Sequence, residues 1–277
     1  MYRVERKEIF IKSKETLSYR FRQGGSDIII LLHDNYASSR NFDFLLETIS
    51  EQYTLYAIDL RGFGNSSYLT PIRSIKDLAK DVDYFTDAIG INRFALLGWG
   101  LGGLVALDYA LNNPSKMNQL ILLGSYAFTN SNAVEACSSI SQKNVDDIET
   151  WKQNGNDRRL KKHLIKTHYH KNKPPKGRLQ YYLREMKMQR NLEDIVRVCH
   201  RYRFDKARLK QVQVKTLMIH GEKDKTVPIK LANNLRSSLG ENTKMIMLKN
   251  GDHAVMMGTL GETLKHIETF LAEKNPS

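Results

Sequence analysis

The chain has 277 residues, of which 41% are apolar and 26% are charged, so we expect a soluble protein with a sizeable buried core. No stretch approaches the roughly 18 consecutive apolar residues of a membrane span, and the charged start shows no signal-peptide pattern. Cys137 and Cys199 are too few and too widely separated for a disulfide framework or a zinc site. Two reduced thiols indicate a reducing compartment, and we expect a cytoplasmic location.

The net charge of +13 is unevenly distributed. Residues 152–178 hold ten lysines and arginines but one acid, Asp157. Such a basic block can attract an acidic substrate, an anionic lipid or nucleic acid, although a charge run is usually only a solvated face. No basic motif interleaved with aromatic residues points to RNA binding, and the spacing of His168 and His170 does not favour a metal site. If the block is functional, it favours an anionic acyl or carboxylate ligand.

The first third of the chain predicts strands followed by one clear helix. Residues 4–21 alternate loosely, as in a β-hairpin. Residues 28–32 and 55–58 are short apolar runs, typical of strands buried on both faces of a parallel sheet. A helix begins near Ser74, carries apolar residues at helical spacing and ends at Gly90.

The pattern continues with one long interruption. Residues 94–99 form an apolar strand that leads into a glycine-rich turn and a helix, and residues 119–123 form the next strand. Residues 126–212 are charged and helix-like, with no apolar run long enough for a buried strand. Core strands resume at residues 216–219 and 245–248, before an amphipathic helix at the end of the chain.

Strands that alternate with helices predict an α/β fold, with a mostly parallel central sheet flanked by helices. Residues 1–125 and 213–277 would form this core, and residues 126–212 would be a helical insertion over one end of the sheet. In such sheets ligands bind beyond the carboxyl ends of the strands. The loops at those ends carry the candidate functional residues of this chain.

Gly100 is the central residue of the glycine-rich turn, in the segment Gly98-Trp99-Gly100-Leu101-Gly102. Serine at this position would complete the nucleophile elbow G-x-S-x-G, in which a strained strand-to-helix turn presents a hydroxyl above an α/β sheet. The strain costs about 1–3 kcal/mol for a residue other than glycine, and glycine tolerates it almost freely. Glycine is therefore a low-strain replacement for a lost nucleophile.

Asp224 and His253 follow the two later core strands, in the order acid then histidine. This is the order of the corresponding residues in a Ser-His-Asp hydrolase triad, where the acid orients a histidine that takes a proton from the nucleophile. Asp252 is a rival acid. Because neighbouring residues on one loop cannot readily face each other, we prefer Asp224.

Together these features resemble the α/β-hydrolase superfamily over essentially the whole chain, closest to its lid-bearing esterase, lactonase and C–C hydrolase branch. Residues 59–67 are very similar to that family's D-x-R-G-x-G-x-S segment. Residues 221–228 resemble its acid loop G-x-x-D-x-x-x-P, and residues 251–253 its histidine loop. The resemblance implies that residues 126–212 form a lid that shapes the substrate pocket.

The resemblance also assigns an oxyanion hole, formed by the backbone N–H groups of Leu101 and Asn35, with Trp99 beside the nucleophile position. Asp34 departs from the family, which usually has glycine here. A carboxylate beside the hole would oppose negative charge, unless Asp34 faces solvent or caps a turn. Both interpretations of Asp34 are open.

Three functions remain open. In the first, the protein is a hydrolase homologue that lacks its nucleophile and binds a small acyl or carboxylic ligand or a partner. Alternatively, it is a carboxylic-ester hydrolase whose natural serine at position 100 has been replaced in this sequence. A third possibility is an enzyme in which His253, oriented by Asp224, acts as a general base. None requires a metal or a cofactor, and we expect neither nucleic-acid binding nor stable membrane insertion. The oligomeric state does not follow from the sequence.

Overall fold

A computed structural model describes residues 3–127, 142–169 and 176–273. Its centre is an eight-stranded sheet in the order β1-β2-β4-β3-β5-β6-β7-β8. The strands are β1 (Glu5–Phe10), β2 (Thr16–Arg22), β3 (Asp27–Leu32), β4 (Tyr53–Ile58), β5 (Phe94–Trp99), β6 (Met117–Leu123), β7 (Lys215–Gly221) and β8 (Thr243–Leu248).

Helices connect and cover these strands. They are α1 (Asp43–Thr48), α2 (Ile75–Ala88), α3 (Leu101–Asn112), α4 (Gln142–Gln153), α5 (Asp157–Leu164), α6 (Lys176–Met188), α7 (Leu192–Arg201), α8 (Lys206–Leu209), α9 (Ile229–Ser238), α10 (Val255–Gly258) and α11 (Leu260–Ala272). A π-helical turn, Ile165–Tyr169, continues α5 directly. Within the described ranges, no helix is both long and apolar enough to cross a membrane.

The sheet is antiparallel at one edge and parallel elsewhere. β1 and β2 form the predicted hairpin, and β2 also pairs antiparallel with β4. From β4 through β3 to β8 all neighbours are parallel. Leu32 lies opposite both Ile58 and Gly98, so these three strands end at the same level. Their carboxyl ends therefore bring the following loops together at one edge of the sheet.

Apolar burial explains why these segments became strands. Every residue of β5 is buried, and Ile29 to Leu32 of β3 are fully excluded from solvent. Such strands are covered on both faces by helices, which accounts for their continuous apolar character. The α/β fold with a mostly parallel sheet is therefore confirmed.

The helix predicted from Ser74 is α2, and local chemistry sets both of its ends. The Ser74 hydroxyl accepts from the Lys76 N–H, and the Asp77 carboxylate accepts from the Ser74 N–H, which completes a capping box. Gly90 follows the helix with a φ of 73°, a backbone angle that glycine adopts easily. The sequence analysis did not predict α1 or α9.

Between β6 and β7 the described residues hold α4 to α8 and no strand. We call residues 142–212 without the gap at 170–175 the helical segment. Its backbone contacts the core at several loops: the Arg190 N–H donates to Gly62 O, and the Ala254 N–H donates to His168 O. Cys137 lies outside the described residues. Cys199 is buried and in its thiol form.

Candidate active site at the strand ends

Four loops meet where β3, β5, β7 and β8 end. They contain His33–Asn35, Gly98–Gly103, His220–Asp224 and Asn250–His253, the segments that the sequence places after core strands. Asp34, His253 and Asp224, from three of these loops, form one continuous hydrogen-bonded chain.

Gly100 forms the turn between β5 and α3. It has φ 52° and ψ −112°, in the region where a side chain is strained. Its N–H donates to Leu123 O at 3.0 Å, which fixes the turn against β6. A Cβ atom built on Gly102 would meet the backbone of Leu32, so glycine there lets α3 approach β3. The turn therefore has the backbone of an elbow, with glycine at its apex.

The Asp34 side chain points into this elbow and is 1% exposed. Its Oδ1 accepts from the Leu101 N–H at 2.6 Å, and its Oδ2 lies 2.9 Å from His253 Nε2. A Cβ atom built on Gly100 would lie 2.8 Å from Asp34 Oδ2 and still closer to Oδ1 and Cγ, inside the 3.0 Å that real Cβ contacts keep. Asp34 does not face solvent. Its carboxylate occupies the space of a side chain at position 100.

His253 lies between two carboxylates and is 1% exposed. Its Nδ1 is 2.8 Å from Asp224 Oδ2, opposite the contact of Nε2 with Asp34. Asp224 Oδ1 accepts from the N–H groups of Thr226 and Val227, at 2.8 Å each, so the acid is fixed on its own loop. The acid paired with His253 is Asp224, the residue preferred over Asp252.

The charge states of Asp34 and His253 follow from their contacts. Burial alone would lower the pKa of His253, but the charge of Asp224 and the hydrogen bonds to Asp224 and Asp34 raise it to about 10. Burial alone would raise the pKa of Asp34, but hydrogen bonds from His168 and His253 hold it well below its usual range. At neutral pH, His253 is therefore an imidazolium that donates through both ring nitrogens.

One of the two candidate oxyanion donors is already engaged. The Leu101 N–H donates to Asp34. The Asn35 carbonyl lies 3.1 Å from His168 Nε2, and its side-chain oxygen accepts from Gln189 Nε2 at 2.8 Å. Trp99 is fully buried, and its indole N–H donates to His253 O at 3.0 Å. Trp99 thus supports the histidine loop through this hydrogen bond.

His168 was considered in the sequence only for a metal site, yet the structure places it against Asp34. Its Nε2 must carry the proton, because the Asn35 carbonyl only accepts; the same nitrogen lies 3.4 Å from Asp34 Oδ2. Its Nδ1 is 2.8 Å from the Thr167 hydroxyl. His168 belongs to the π-helical turn, a feature often found at functional sites.

Gln189 is the second residue that the sequence analysis missed. Its Oε1 accepts from the Tyr36 N–H at 3.1 Å, while its Nε2 donates to Asn35 Oδ1. Tyr36 has a φ of 60°, unusual for a residue other than glycine. Gln189 and His168 therefore both hold the loop that carries Asp34. A lone glutamine at the end of a charged helix gives no sequence signal for this contact.

His33 anchors the same loop from the side of the sheet. Its Nδ1 lies 2.8 Å from the Asp34 carbonyl, and its Nε2 lies 3.0 Å from the Leu60 N–H. The carbonyl accepts and the amide donates, so the ring is neutral with its proton on Nδ1. Burial lowers the pKa of His33, in agreement with this neutral form.

Residues 59–67 form hydrogen bonds and an ion pair that stabilise the loop after β4. Asp59 accepts from the Ser39 N–H at 2.7 Å and from the Asn65 N–H at 3.0 Å. Arg61 forms a two-point ion pair with Asp81, at 2.6 and 2.7 Å. These bonds fix the loop that follows β4, beside the loop of Asp34.

The basic block lies partly outside the described residues. Of its described members, Lys152 contacts Glu149 at 2.9 Å and Arg178 contacts Glu47 at 2.8 Å. Arg158, Arg159, Lys162 and Lys166 are exposed along α5 and the turn after it. Leu160 and Leu164 of α5 are buried beneath them, as in an ordinary amphipathic surface helix. In the part of the chain that the structure describes, no cluster of three or more His, Cys, Asp or Glu residues suits a metal ion.

The fold and the site define a class of protein. The family model of the alpha/beta hydrolase fold matches residues 27–258. The chain belongs to this family, as its motifs indicated.

Particular relatives cover only part of the chain. It is 35% identical over 107 residues to a pimeloyl-[acyl-carrier protein] methyl ester esterase of Aeromonas hydrophila subsp. hydrophila, a match of 38% of this chain and 40% of the relative. It is 27% identical over 126 residues to a probable alcohol acetyltransferase of Cyberlindnera jadinii, a match of 41% of this chain and 36% of the relative. These matches span well under half of the curated relatives.

The structural likeness extends further. An esterase from Exiguobacterium antarcticum superimposes with a TM-score of 0.81 over 96% of this chain and 99% of that one, at 19% sequence identity. At this identity the likeness concerns the fold.

Proposed function

We propose that this α/β-hydrolase-family protein forms no serine acyl-enzyme, does not hydrolyse carboxylic esters at its elbow, and binds a small acyl ligand beneath the helical segment. One observation carries the proposal: the Asp34 carboxylate occupies the space of a side chain at position 100. Gly100 has no nucleophilic atom, and Asp34 covers the place where one would lie.

The neighbouring groups support the same conclusion. An ester carbonyl needs a free N–H donor for its developing oxyanion, and the Leu101 N–H already donates to Asp34. A Ser-His-Asp mechanism needs a neutral histidine to take the serine proton. His253 is protonated at neutral pH and its Nε2–H faces Asp34. The nucleophile is absent, and Asp34 engages both the Leu101 donor and the His253 base.

The alternative of a replaced serine meets a steric objection. Serine at position 100 would collide with the Asp34 carboxylate, since even a Cβ atom does. An active serine enzyme therefore needs a change at position 34 as well as at position 100. A His253 general base is disfavoured for a different reason, because an imidazolium between two carboxylates has no free nitrogen lone pair.

The class of ligand follows from the charge of the elbow. Asp34 and Asp224 are paired with the single charge of His253, so these three groups leave net negative charge. A carboxylate of a ligand would be repelled there, which favours an acyl group without charge at this end. The cytoplasm remains the proposed location, on the two reduced thiols expected from the sequence.

The test compares ester turnover by four proteins: wild type, Gly100→Ser, Asp34→Gly, and the double variant Gly100→Ser with Asp34→Gly. The substrates are p-nitrophenyl esters of short and medium acyl chains. We expect no turnover beyond background for the three proteins that lack either the serine or the space for it. The double variant is expected to turn over at least one ester, since it has a hydroxyl, and both the Leu101 N–H and His253 Nε2 are released from Asp34.

His253→Gln in the double variant is the matched control and should abolish the recovered activity. Ester turnover by the wild type that His253→Gln removes would overturn the proposal. Equal activity of Gly100→Ser and the double variant would show that Asp34 does not obstruct the elbow.

A further inference from the structure

The elbow presents two hydrogen-bond donors to one point. The Leu101 N–H lies at the start of α3, a helix of 12 residues whose N-terminus favours negative charge. The Nε2–H of His253 approaches the same point from the opposite loop. The Asp34 carboxylate bridges them, with Oδ1 on the amide at 2.6 Å and Oδ2 on the imidazolium at 2.9 Å. Each oxygen therefore has its own donor.

We infer that the elbow is a carboxylate-binding site whose ligand is built into the chain: Asp34 fills a site that accepts a free small carboxylate when its side chain is absent. This inference rests on the proposed function, because it assumes that the elbow no longer holds a nucleophile. It adds the chemistry of the site, which is the recognition of one carboxylate by an amide and an imidazolium, with His168 Nε2 3.4 Å from one of its oxygens.

Gly100 is part of this site because it provides the room. A Cβ atom at position 100 would overlap both oxygens and Cγ of Asp34. Glycine thus leaves room between the turn and His253 for the Asp34 carboxylate. The Asp34 carboxylate therefore takes the space that the absence of a side chain at position 100 leaves free.

The helical segment holds the built-in ligand in place. Gln189 contacts Asn35 and Tyr36, and His168 contacts both Asn35 and Asp34 Oδ2. These contacts fix the residues that follow Asp34, including Tyr36 with its positive φ. His33, which precedes Asp34, lies with its Nδ1 2.8 Å from the Asp34 carbonyl. The residues before and after Asp34 are thus both fixed, and the loop presents the carboxylate to the elbow.

The geometry predicts which free anion fits the space that each substitution of Asp34 leaves. The side chain of Asp34 beyond its Cα atom has the heavy atoms of acetate. Asp34→Gly therefore leaves a space for acetate. Asp34→Ala keeps Cβ and leaves a space for formate only. Asp34→Asn fills the space with a neutral amide and leaves room for neither anion.

The experiment measures thermal unfolding of these three variants and the wild type in sodium formate, acetate, propionate and chloride at equal ionic strength and neutral pH. Because a ligand of the folded state raises the Tm by mass action, acetate should raise the Tm of Asp34→Gly by about 2 °C or more above chloride. Formate should do the same for Asp34→Ala, where acetate and propionate should not. The wild type and Asp34→Asn should show no difference among the anions.

Adding His253→Gln to Asp34→Gly should remove the acetate effect, which separates this site from binding elsewhere. Should Asp34→Gly fail to fold in chloride, refolding in acetate gives the same information, and equal failure in both salts contradicts the inference. It is also overturned if acetate stabilises the wild type and Asp34→Gly equally, or if neither variant responds to any anion. These outcomes do not depend on ester turnover, so they can fail while the proposed function stands.

Discussion

The carboxylate of Asp34 lies where a side chain on Gly100 would have to be. The two residues are 66 positions apart in the chain and meet because β3 and β5 are parallel neighbours that end at the same level. Each explains the other: glycine leaves space for the carboxylate, and the carboxylate fills the space left by glycine. The consequences for stability and chemistry can be measured separately.

The first prediction concerns this pair in a double-mutant cycle. Gly100→Ala should destabilise the wild type by two effects, a backbone strain of about 1–3 kcal/mol and the overlap of its Cβ with Asp34. In the Asp34→Gly background only the strain remains. Urea unfolding should therefore give a coupling free energy of about 0.5–3 kcal/mol between the two positions. Additive effects would show that the two side-chain positions do not compete for space.

The second prediction concerns pH. The pKa of His253 is raised to about 10 from an ordinary value of 6.5, so its contribution to stability is complete below about pH 6.5 and is lost as pH rises through 10. The lowered pKa of Asp34 acts in the opposite direction: its contribution is present above the ordinary value of 3.8 and is lost as pH falls.

Asp34→Asn removes one of the two carboxylates that hold His253 charged. We expect the stability difference between wild type and this variant to shrink as pH rises from about 6.5 to 10, in urea unfolding at several pH values. Burial lowers the pKa of His33 below its ordinary value of 6.5, and loss of the Asp34 charge would lower this pKa further, so His33 is neutral over this range in both proteins. Asp157→Asn, an exposed carboxylate paired with Lys187, is the control and should give a difference independent of pH over this range. A constant difference for Asp34→Asn would contradict the charge assigned to His253.

The third prediction tests the support given by Gln189. Gln189→Ala removes this partner from the buried side-chain oxygen of Asn35 and from the Tyr36 N–H. The loss should cost about 1–3 kcal/mol in the free energy of unfolding. Hydrogen exchange at the Tyr36 amide should accelerate relative to the wild type. Gln153→Ala, at an exposed position in α4, should change neither quantity. Unchanged exchange at Tyr36 would indicate that the loop is held by other contacts.

The fourth prediction concerns the exposed cations of α5. Replacing Arg158, Arg159 or Lys162 by Gln should change the free energy of unfolding by no more than about 0.5 kcal/mol each, because these side chains extend into solvent. Thermal or urea unfolding measures the effect. A loss well above this range for any of them would show that the charge supports the fold rather than lying on a solvated face.

The elements of the fold could be predicted because each has a local signature. Continuous apolar runs marked the parallel strands, and Ser74 with Gly90 marked both ends of α2. The short helix α1 was missed, because six residues are too few to establish a helical period. The glycines around position 100 likewise indicated the elbow from their spacing alone.

The site could be predicted only in part. Asp224 and His253 were found because each follows a core strand, and their contact follows from the topology of the sheet. The direction of the Asp34 side chain depends on contacts with Leu101 and His253, 67 and 219 residues away, which no local pattern records. His168 and Gln189 lie in a segment whose charge and helical character do not indicate which face meets the core.

The most direct test of the central claim is the intact mass of the protein after treatment with a fluorophosphonate, which reacts with an activated serine at an elbow. We predict no added mass for the wild type or for Gly100→Ser, and one phosphonyl group on the double variant Gly100→Ser with Asp34→Gly, dependent on His253. A phosphonyl group on the introduced serine of the single variant, at a rate equal to that of the double variant, would contradict the account in which Asp34 occupies the nucleophile's place.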